Sequence, residues 1–546
     1  MTIRHSLLPV LACLGLAPAP SSGAPSAPVM EDPAIVPLPA KLEWRKREEG
    51  FAFTSPLPIS AALAGTPEGQ ALIRSLQKTD IPFEAGGSAA DVFDVSLSAP
   101  GLREEGYTLE ITPNRIRIAA GGEAGLFHAV QTLAQSVVKD SQGRPALPAM
   151  TIEDAPRFEW RGLMIDSGRY MLKPNEIKRI IDLMAHYKFN RLHWHLTEDQ
   201  GWRIEIKKYP KLTEVGSVRA ESPVMGDRRR GDGTPYGGFY TQDEIRDVVA
   251  YARARHILVV PEVEMPGHSS AAIAAYPEFG NADIPDYNPR VATTWGVKSY
   301  LYAPTEKAFN FLDDVLAEVC ALFPDSPYIH IGGDEAPKKQ WKQSAMAQNV
   351  IKEQGLKDED ELQSYFIRQM EKRLKARGRR IIGWDELQLQ GGLDPSAVIM
   401  VWRSPEFAKP VLENGNSIIL APTEYCYLDY NQGDSPARPL YDNINDGRRD
   451  WRHVYSRNPV PAGITPEQES RILGMQGNVW AEYIPNLLKW EYLAFPRALA
   501  VAEMAWTPQE RRSEEDFARR LQRQEDYLDN KKVNFRRADG TPHIDR

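Results

Sequence analysis

The sequence predicts an α/β protein: a (β/α)8 TIM barrel preceded by a smaller α+β domain. From Trp160 onward, strand-like runs and helix-like segments alternate eight times over roughly 350 residues. Several of the strand-like runs are almost wholly apolar, as strands covered on both faces require. Polar and aromatic residues recur at the C-terminal ends of those runs, the end at which such barrels carry their chemistry. A doubly wound sheet is the alternative, but no glycine-rich phosphate loop opens any of the helices.

The strands are expected at Gly162–Asp166, Arg191–Leu196, Ile257–Val263, Tyr328–Gly332, Arg380–Trp384, Val398–Trp402, Ser417–Ala421 and Leu473–Val479. Helical periodicity fills Asn175–Tyr187, Gln242–Arg255 and Thr305–Phe323 between them. Ahead of the barrel, Tyr107–Ile111 and Arg115–Ile118 flank Thr-Pro-Asn as a hairpin, and Ala124–Val138 follows as a helix. The domains divide as 1–27 signal peptide and linker start, 28–156 α+β domain, 157–510 barrel, and 511–546 a charged helical tail packing on the barrel.

A chain of 546 residues is long enough for several cores. A hydrophobic content of 42% with 26% charged residues is that of a soluble globular protein. A net charge of -8 argues against a nucleic-acid partner. The basic run Arg228-Arg229-Arg230, set among Gly and Asp, reads as a solvated loop.

Arg4 and His5, then apolar Leu7–Ala17, then small residues form the layout of a secretory signal. Cleavage is open between Ala17-Pro18-Ala19 and Ser22-Gly23-Ala24, and Val10-Leu11-Ala12-Cys13 loosely resembles a lipoprotein site. No later run of about 18 apolar residues occurs, so no membrane span is expected. The protein is expected to be exported, periplasmic or secreted. Cys320 and Cys426, the cysteines left after processing, read as buried packing residues.

The chemistry centres on His330-Ile331-Gly332-Gly333-Asp334-Glu335, which leaves two adjacent carboxylates at a strand tip. Paired carboxylates are what cleavage of a glycosidic bond requires, and the two glycines allow close approach of substrate or backbone. The plainer reading is an acidic helix cap with Pro337 in the first turn. Other strand ends supply Asp166 and Arg169, Glu198 and Asp199, then Glu262, Glu264 and His268. The later ones supply Trp384-Asp385-Glu386, Trp402, then Tyr425, Tyr427 and Asp429, and finally Trp480 and Glu482. Indole faces suit the apolar face of a pyranose or a small methyl group. A general acid at neutral pH needs a raised pKa, and the neighbouring Asp334 charge acts on Glu335 in that direction.

Four stretches resemble the β-N-acetylhexosaminidases of glycoside hydrolase family 20. They are Leu192–Arg203 (LHWHLTEDQGWR), Pro261–His268 (PEVEMPGH), the His-x-Gly-Gly-Asp-Glu run, and Trp480-Ala481-Glu482. The similarity extends from about Val36 to Trp506. It implies a retaining mechanism in which the substrate's 2-acetamido oxygen attacks the anomeric carbon, through an oxazoline-type intermediate. It further implies Glu335 as general acid and base, Asp334 orienting the acetamido group, and Tyr427 bonding its oxygen. Trp384, Trp402 and Trp480 enclose its methyl, and Arg169, Asp429 and Glu482 hold sugar hydroxyls. Asp199 and His268 connect to the acid. Glu198 stands where many relatives carry Asp.

The expected partner is an oligosaccharide or glycoconjugate ending in N-acetylhexosamine, with no cofactor and no metal. By themselves the residues leave Asp385 open as a carboxylate nucleophile. Two other readings stay open beside the hydrolase: a metallohydrolase using His193, His195, His268 and His330, and a carbohydrate-binding protein without turnover.

Overall fold

A computed structural model describes residues 32–45, 50–53, 56–88, 91–140, 142–225, 227–388, 393–433 and 449–541. The expected signal segment lies outside the described residues.

Eight parallel strands close into a barrel: β1 (Trp160–Asp166), β2 (Arg191–His195), β3 (Leu258–Glu262), β4 (Tyr328–His330), β5 (Arg380–Trp384), β6 (Val398–Val401), β7 (Ser417–Leu420) and β8 (Ile472–Val479). The seam is β1 against β8, in register from Trp160↔Gly474 to Ile165↔Val479. At Gly474 a Cβ would lie 1.9 Å from the Trp160 carbonyl oxygen, so closure at the seam requires glycine. Most of the expected strands run one or two residues longer than these. The difference lies at the rim, where Leu196, Val263 and Ala421 still donate to Glu262, His330 and Val401 carbonyls while the chain turns into loops.

The principal helices are α1 (Pro174–His186), α2 (Gln242–Arg253), α3 (Glu306–Leu322), α4 (Glu359–Ala376), α5 (Ala408–Glu413), α6 (Arg497–Trp506) and α7 (Glu514–Asn530). Thr241 and Glu244 cap α2 reciprocally, and Asp358 caps α4 by accepting from the Asp360 and Glu361 N–H groups. On α1 the apolar positions Ile177, Ile180, Ile181 and Met184 fall on one stripe and are buried.

The smaller domain carries a five-stranded sheet, Lys41–Trp44, Met150–Asp154, Tyr107–Thr112, Arg115–Ala120 and Phe93–Ser96 in spatial order. The expected hairpin turns at Pro113-Asn114, with Thr112 opposite Arg115. Leu109, Ile111, Ile116 and Ile118 face a core shared with the helices Pro67–Leu76 and Glu123–Gln135 and with Trp506 of α6. The basic run departs from expectation. It lies in a strand, Asp227–Gly231, paired with Pro223–Val224, because antiparallel partners only a few residues apart close a short hairpin whatever their charge.

One buried group ties the two domains. Asp154 accepts from Tyr107 Oη (2.6 Å), Trp506 Nε1 (2.9 Å) and Lys188 Nζ (3.1 Å), and the Lys188 and Asp154 side chains are fully enclosed. The tail helix α7 adds Arg520, bonded to Glu503 of α6 at 2.6 Å through both terminal nitrogens and to the Ile35 carbonyl. Lys188→Met leaves Asp154 uncompensated in a dry interior. It is expected to cost about 3–5 kcal/mol, read as a lower urea midpoint.

Candidate active site

Every strand end but that of β5 on one face of the barrel contributes to a small cavity of about 190 Å³. Its construction begins at β4. Gly332 and Gly333 adopt φ of +65° and +94°, which turn the chain sharply after the strand. A Cβ at Gly332 would meet Glu264 Oε2 at 1.8 Å, so the absent side chain is the space that carboxylate occupies. The turn delivers Asp334 and Glu335 side by side, and Glu335 itself holds φ +44°, a costly conformation for a residue with a Cβ. No helix starts there; the next begins at Lys339, which sets aside the helix-cap reading.

His268 lies between this turn and β2. Its Nδ1 sits 2.8 Å from Glu198 Oε1 and 3.2 Å from Asp199 Oδ2, and its Nε2 is 3.7 Å from Asp334 Oδ2 and 3.6 Å from Glu335 Oε2. Burial opposes charge on this imidazole, but Glu198, Asp199 and Asp334 outweigh it and hold the ring well above the usual histidine range. Burial raises the Glu335 carboxyl, the Asp334 charge raises it further, and His268 pulls in the opposite direction. Asp334 Oδ1 is buried and takes no hydrogen bond from the described residues, so a ligand donor has a waiting acceptor.

On the opposite wall Arg169 reaches Asp166 Oδ2 (3.1 Å) and Glu198 Oε2 (3.2 Å), with Glu482 Oε1 at 4.0 Å. Its guanidinium stands 5.2 Å over the Trp480 ring. Asp166 also accepts from the Ala481 N–H, and Arg169 and His195 hold it below the ordinary carboxylate range against the cost of burial. Glu482 is raised by burial, which the nearby Arg169 only partly offsets.

Aromatic rings line the remaining side. Trp402 and Tyr427 stack with centroids 6.1 Å apart, and Tyr427 and Trp480 meet at 5.9 Å. Tyr427 pairs with Asn478 of β8, which fixes its place. Burial and the Asp334 charge push its phenol far above its ordinary pKa, so it stays a hydrogen-bond donor.

Of the expected site residues, Arg169, His268, Asp334, Glu335, Trp402, Tyr427, Asp429, Trp480 and Glu482 line the cavity. Asp199 does not; it is fully buried behind His268 and accepts from Ser270 N and Oγ. Nor does Trp384, which lies beneath Trp480 at 5.7 Å and donates from Nε1 to Glu262 Oε1 (2.9 Å). Glu198, Glu264 and Tyr430 also line it and had no assigned role there. Glu264 was within reach of sequence reasoning, since it follows Glu262 at strand period. For Tyr430 the sequence carries no signal.

Of the four histidines considered as metal ligands, three gather around Glu262 and the fourth, His268, stands apart. His193 and His330 share Glu262, His195 faces Glu262 and Glu264, and His268 belongs with Glu198 and Asp199 or with Asp334 and Glu335. Each group has the side chains to hold a cation, and in each the imidazole already faces a carboxylate: His193 Nε2 is 3.0 Å from Glu262 and His330 Nδ1 2.7 Å. Both cysteines are free. Cys426 is buried, and Cys320 packs against the barrel core but is half-buried rather than buried as expected. Among the described residues no helix is long and apolar enough to cross a membrane.

Comparison with known proteins gives two domain matches. Residues 158–509 match the model of glycosyl hydrolase family 20, catalytic domain, and residues 32–155 match that of its domain 2. The chain is 43% identical over 487 residues to a beta-hexosaminidase of Porphyromonas gingivalis, covering 88% of this chain and 60% of that one. It is 38% identical over 479 residues to a beta-hexosaminidase of Vibrio furnissii, covering 86% and 76%. The fold matches a GH20 exo beta-N-acetylglucosaminidase from Vibrio harveyi, solved with N-acetylglucosamine, with a TM-score of 0.82, 32% identity and coverage of 96% and 81%.

Because Glu264 fills the place of a Gly332 side chain, Gly332→Ala is expected to destabilise the fold by about 1–3 kcal/mol through overpacking. Adding Glu264→Ala should recover part of that loss. Denaturation midpoints of the two single variants and the double variant measure the coupling.

Proposed function

The chain belongs to glycosyl hydrolase family 20 and is a glycoside hydrolase, and from that premise we propose that it is an exo-acting, retaining β-N-acetylhexosaminidase. It removes terminal β-linked N-acetylglucosamine or N-acetylgalactosamine from the non-reducing ends of glycans, short chitooligosaccharides among them. The observation that carries this reading is the placement of Glu335 at the mouth of a cavity sized for one sugar, with Asp334 and Tyr427 inside it.

The substrate supplies its own nucleophile. Tyr427 Oη donates to the acetamido oxygen, and Asp334 accepts from the acetamido N–H, whose growing positive charge it stabilises. That oxygen attacks the anomeric carbon while Glu335 protonates the glycosidic oxygen. The oxazoline-type intermediate is opened by water, from which Glu335 takes back the proton. Trp402 and Trp480 flank the acetamido methyl, with Trp384 supporting Trp480 from below. Arg169, Asp429 and Glu482 hold the ring hydroxyls.

A carboxylate nucleophile finds less support. Asp385 accepts from Arg403 Nε at 2.6 Å and from the Trp402 N–H at 3.1 Å, and it lies outside the cavity lining. The metallohydrolase reading would need all four histidines at one site, whereas His193, His195 and His330 surround Glu262, which does not line the cavity, and His268 stands apart with Glu198, Asp199, Asp334 and Glu335. The exported destination read from residues 1–27 belongs to the same proposal.

Two measurements test it. Glu335→Gln should lower kcat on a chromogenic N-acetyl-β-glucosaminide by about 10²- to 10⁴-fold while the product sugar still binds. Turnover at the parental rate would remove Glu335 from the mechanism. The second is a pH profile. Activity requires Glu335 protonated and falls as pH rises through its pKa; His268 lowers that pKa, so removing its positive charge raises it. The basic limb of kcat/KM in His268→Gln should therefore move to higher pH, and a shift to lower pH contradicts the assignment.

A further inference from the structure

Two of the indoles around the acetamido group are each tied at Nε1 to a carboxylate. Trp384 donates to Glu262 Oε1 (2.9 Å), and Trp402 donates to Glu386 Oε2 (2.9 Å). The first pair is sealed in the barrel interior, whereas Trp402 and Glu386 are half-buried at the rim. Of these two indoles only Trp402 lines the sugar cavity, so its orientation bears directly on the ligand. Asp385 and Glu386 follow β5 as consecutive carboxylates, and the proposed reaction uses neither.

The turn after β5 explains why both reach Trp402. Asp385–Gln388 wind into one turn of 3-10 helix, in which successive side chains diverge by about a third of a turn. Trp384 pairs with Met400 of β6, so this turn runs alongside Trp402. Asp385 Oδ2 accepts from the N–H groups of Trp402 (3.1 Å) and Arg403 (3.3 Å), and its Oδ1 accepts from Arg403 Nε (2.6 Å). From the other side the Thr423 N–H (2.6 Å) and Oγ1 (2.9 Å) donate to the Trp402 carbonyl. Asp385 and Thr423 therefore hold the main chain, and Glu386 holds the far end of the ring. The indole has one polar atom, its Nε1–H donor, and Glu386 takes it. The ring also lies nearly parallel to Tyr427, at 15°. Without Glu386 that contact remains, but an Nε1–H lacking an acceptor favours rotation of the indole toward water.

We propose that Glu386 is a positioning residue which, through the Trp402 indole, sets how long an N-acyl chain the cavity accepts. The assignment rests on the hexosaminidase reading and deepens it. With the ring held, the wall leaves room for a methyl, and an N-propionyl group meets the indole. One surplus methylene in an apolar pocket lowers kcat/KM by about tenfold or more. With the ring released, the wall yields and that penalty shrinks. Because the acyl oxygen is the nucleophile, a loosened wall also lets the acetamido group leave its attacking position. On the N-acetyl substrate kcat then changes more than KM.

The test compares kcat/KM for 4-nitrophenyl N-acetyl-β-glucosaminide and for its N-propionyl analogue in the parent, Glu386→Ala, Glu386→Gln and Trp402→Phe. The acetyl-to-propionyl ratio should fall about tenfold in Glu386→Ala. It should stay near the parental ratio in Glu386→Gln, which keeps an acceptor for the indole. An unchanged ratio in Glu386→Ala overturns the assignment, and equal losses on both substrates, the mark of simple destabilisation, are that outcome. A ratio in Glu386→Gln that falls as far as in Glu386→Ala overturns it too, as does a parent that hydrolyses the two substrates equally well. Phenylalanine has no Nε1, so adding Glu386→Ala to Trp402→Phe should leave the ratio where Trp402→Phe alone puts it. A further fall means that Glu386 acts by a route other than the indole. A parent inert on every N-acetylhexosaminide fails earlier, at the hexosaminidase reading itself.

Discussion

The structure of the active centre depends on one constraint: many carboxylates crowd a cavity of about 190 Å³, and only a few cations stand among them. Arg169, His195 and His268 are placed so that Asp166 and Glu198 remain ionised below their ordinary range. Glu264, Glu335 and Glu482 lie where burial and like charge win, and their carboxyls are raised. Identical side chains a few ångströms apart are thereby given different proton affinities, the condition for assigning acid and base roles within one pocket. Glu335 receives its environment from both sets, raised by Asp334 and restrained by His268.

Such crowding can be held only by a rigid frame. The barrel supplies it through a closed ring of parallel strands whose interior is filled by side chains rather than left as a channel. Glu262 shows how polar groups enter that interior. It accepts from the Trp384 indole, faces His193 and His330, and is ionised because those imidazoles and His195 outweigh the cost of its burial. The indole it fixes supports Trp480, so a carboxylate remote from the cavity sets part of the cavity's shape. The strained backbone at Glu335 fits the same frame, since a conformation with φ of +44° persists only where its surroundings over-determine it.

The smaller domain and the tail act on this frame from outside the site. Asp154 gathers a tyrosine, a lysine and a tryptophan from three separate stretches of chain, and Arg520 joins the tail helix to α6 and to the first described stretch of chain. These contacts fix the helices that flank β1 and β8, the strands that close the barrel and carry Asp166 and Trp480 toward the cavity.

Much of this was legible in the sequence. Eight apolar runs separated by helical periodicity marked the barrel because both signals are local, and His330–Glu335 marked the acid because its turn, its glycines and its carboxylates are consecutive residues. The same locality placed Trp402, Tyr427, Trp480 and Glu482 at strand ends. What the sequence could not decide is which groups meet. That Trp384 withdraws beneath Trp480, that Glu264 occupies the space of a missing Gly332 side chain, and that His193, His195 and His330 gather around Glu262 are all consequences of strands far apart in the chain becoming neighbours. The sequence by itself determined the order of elements and the kinds of side chain at their ends. Only the closed barrel determined distances and burial, and with them the proton affinities, because the pull of a carboxyl on a proton depends on what surrounds it in space.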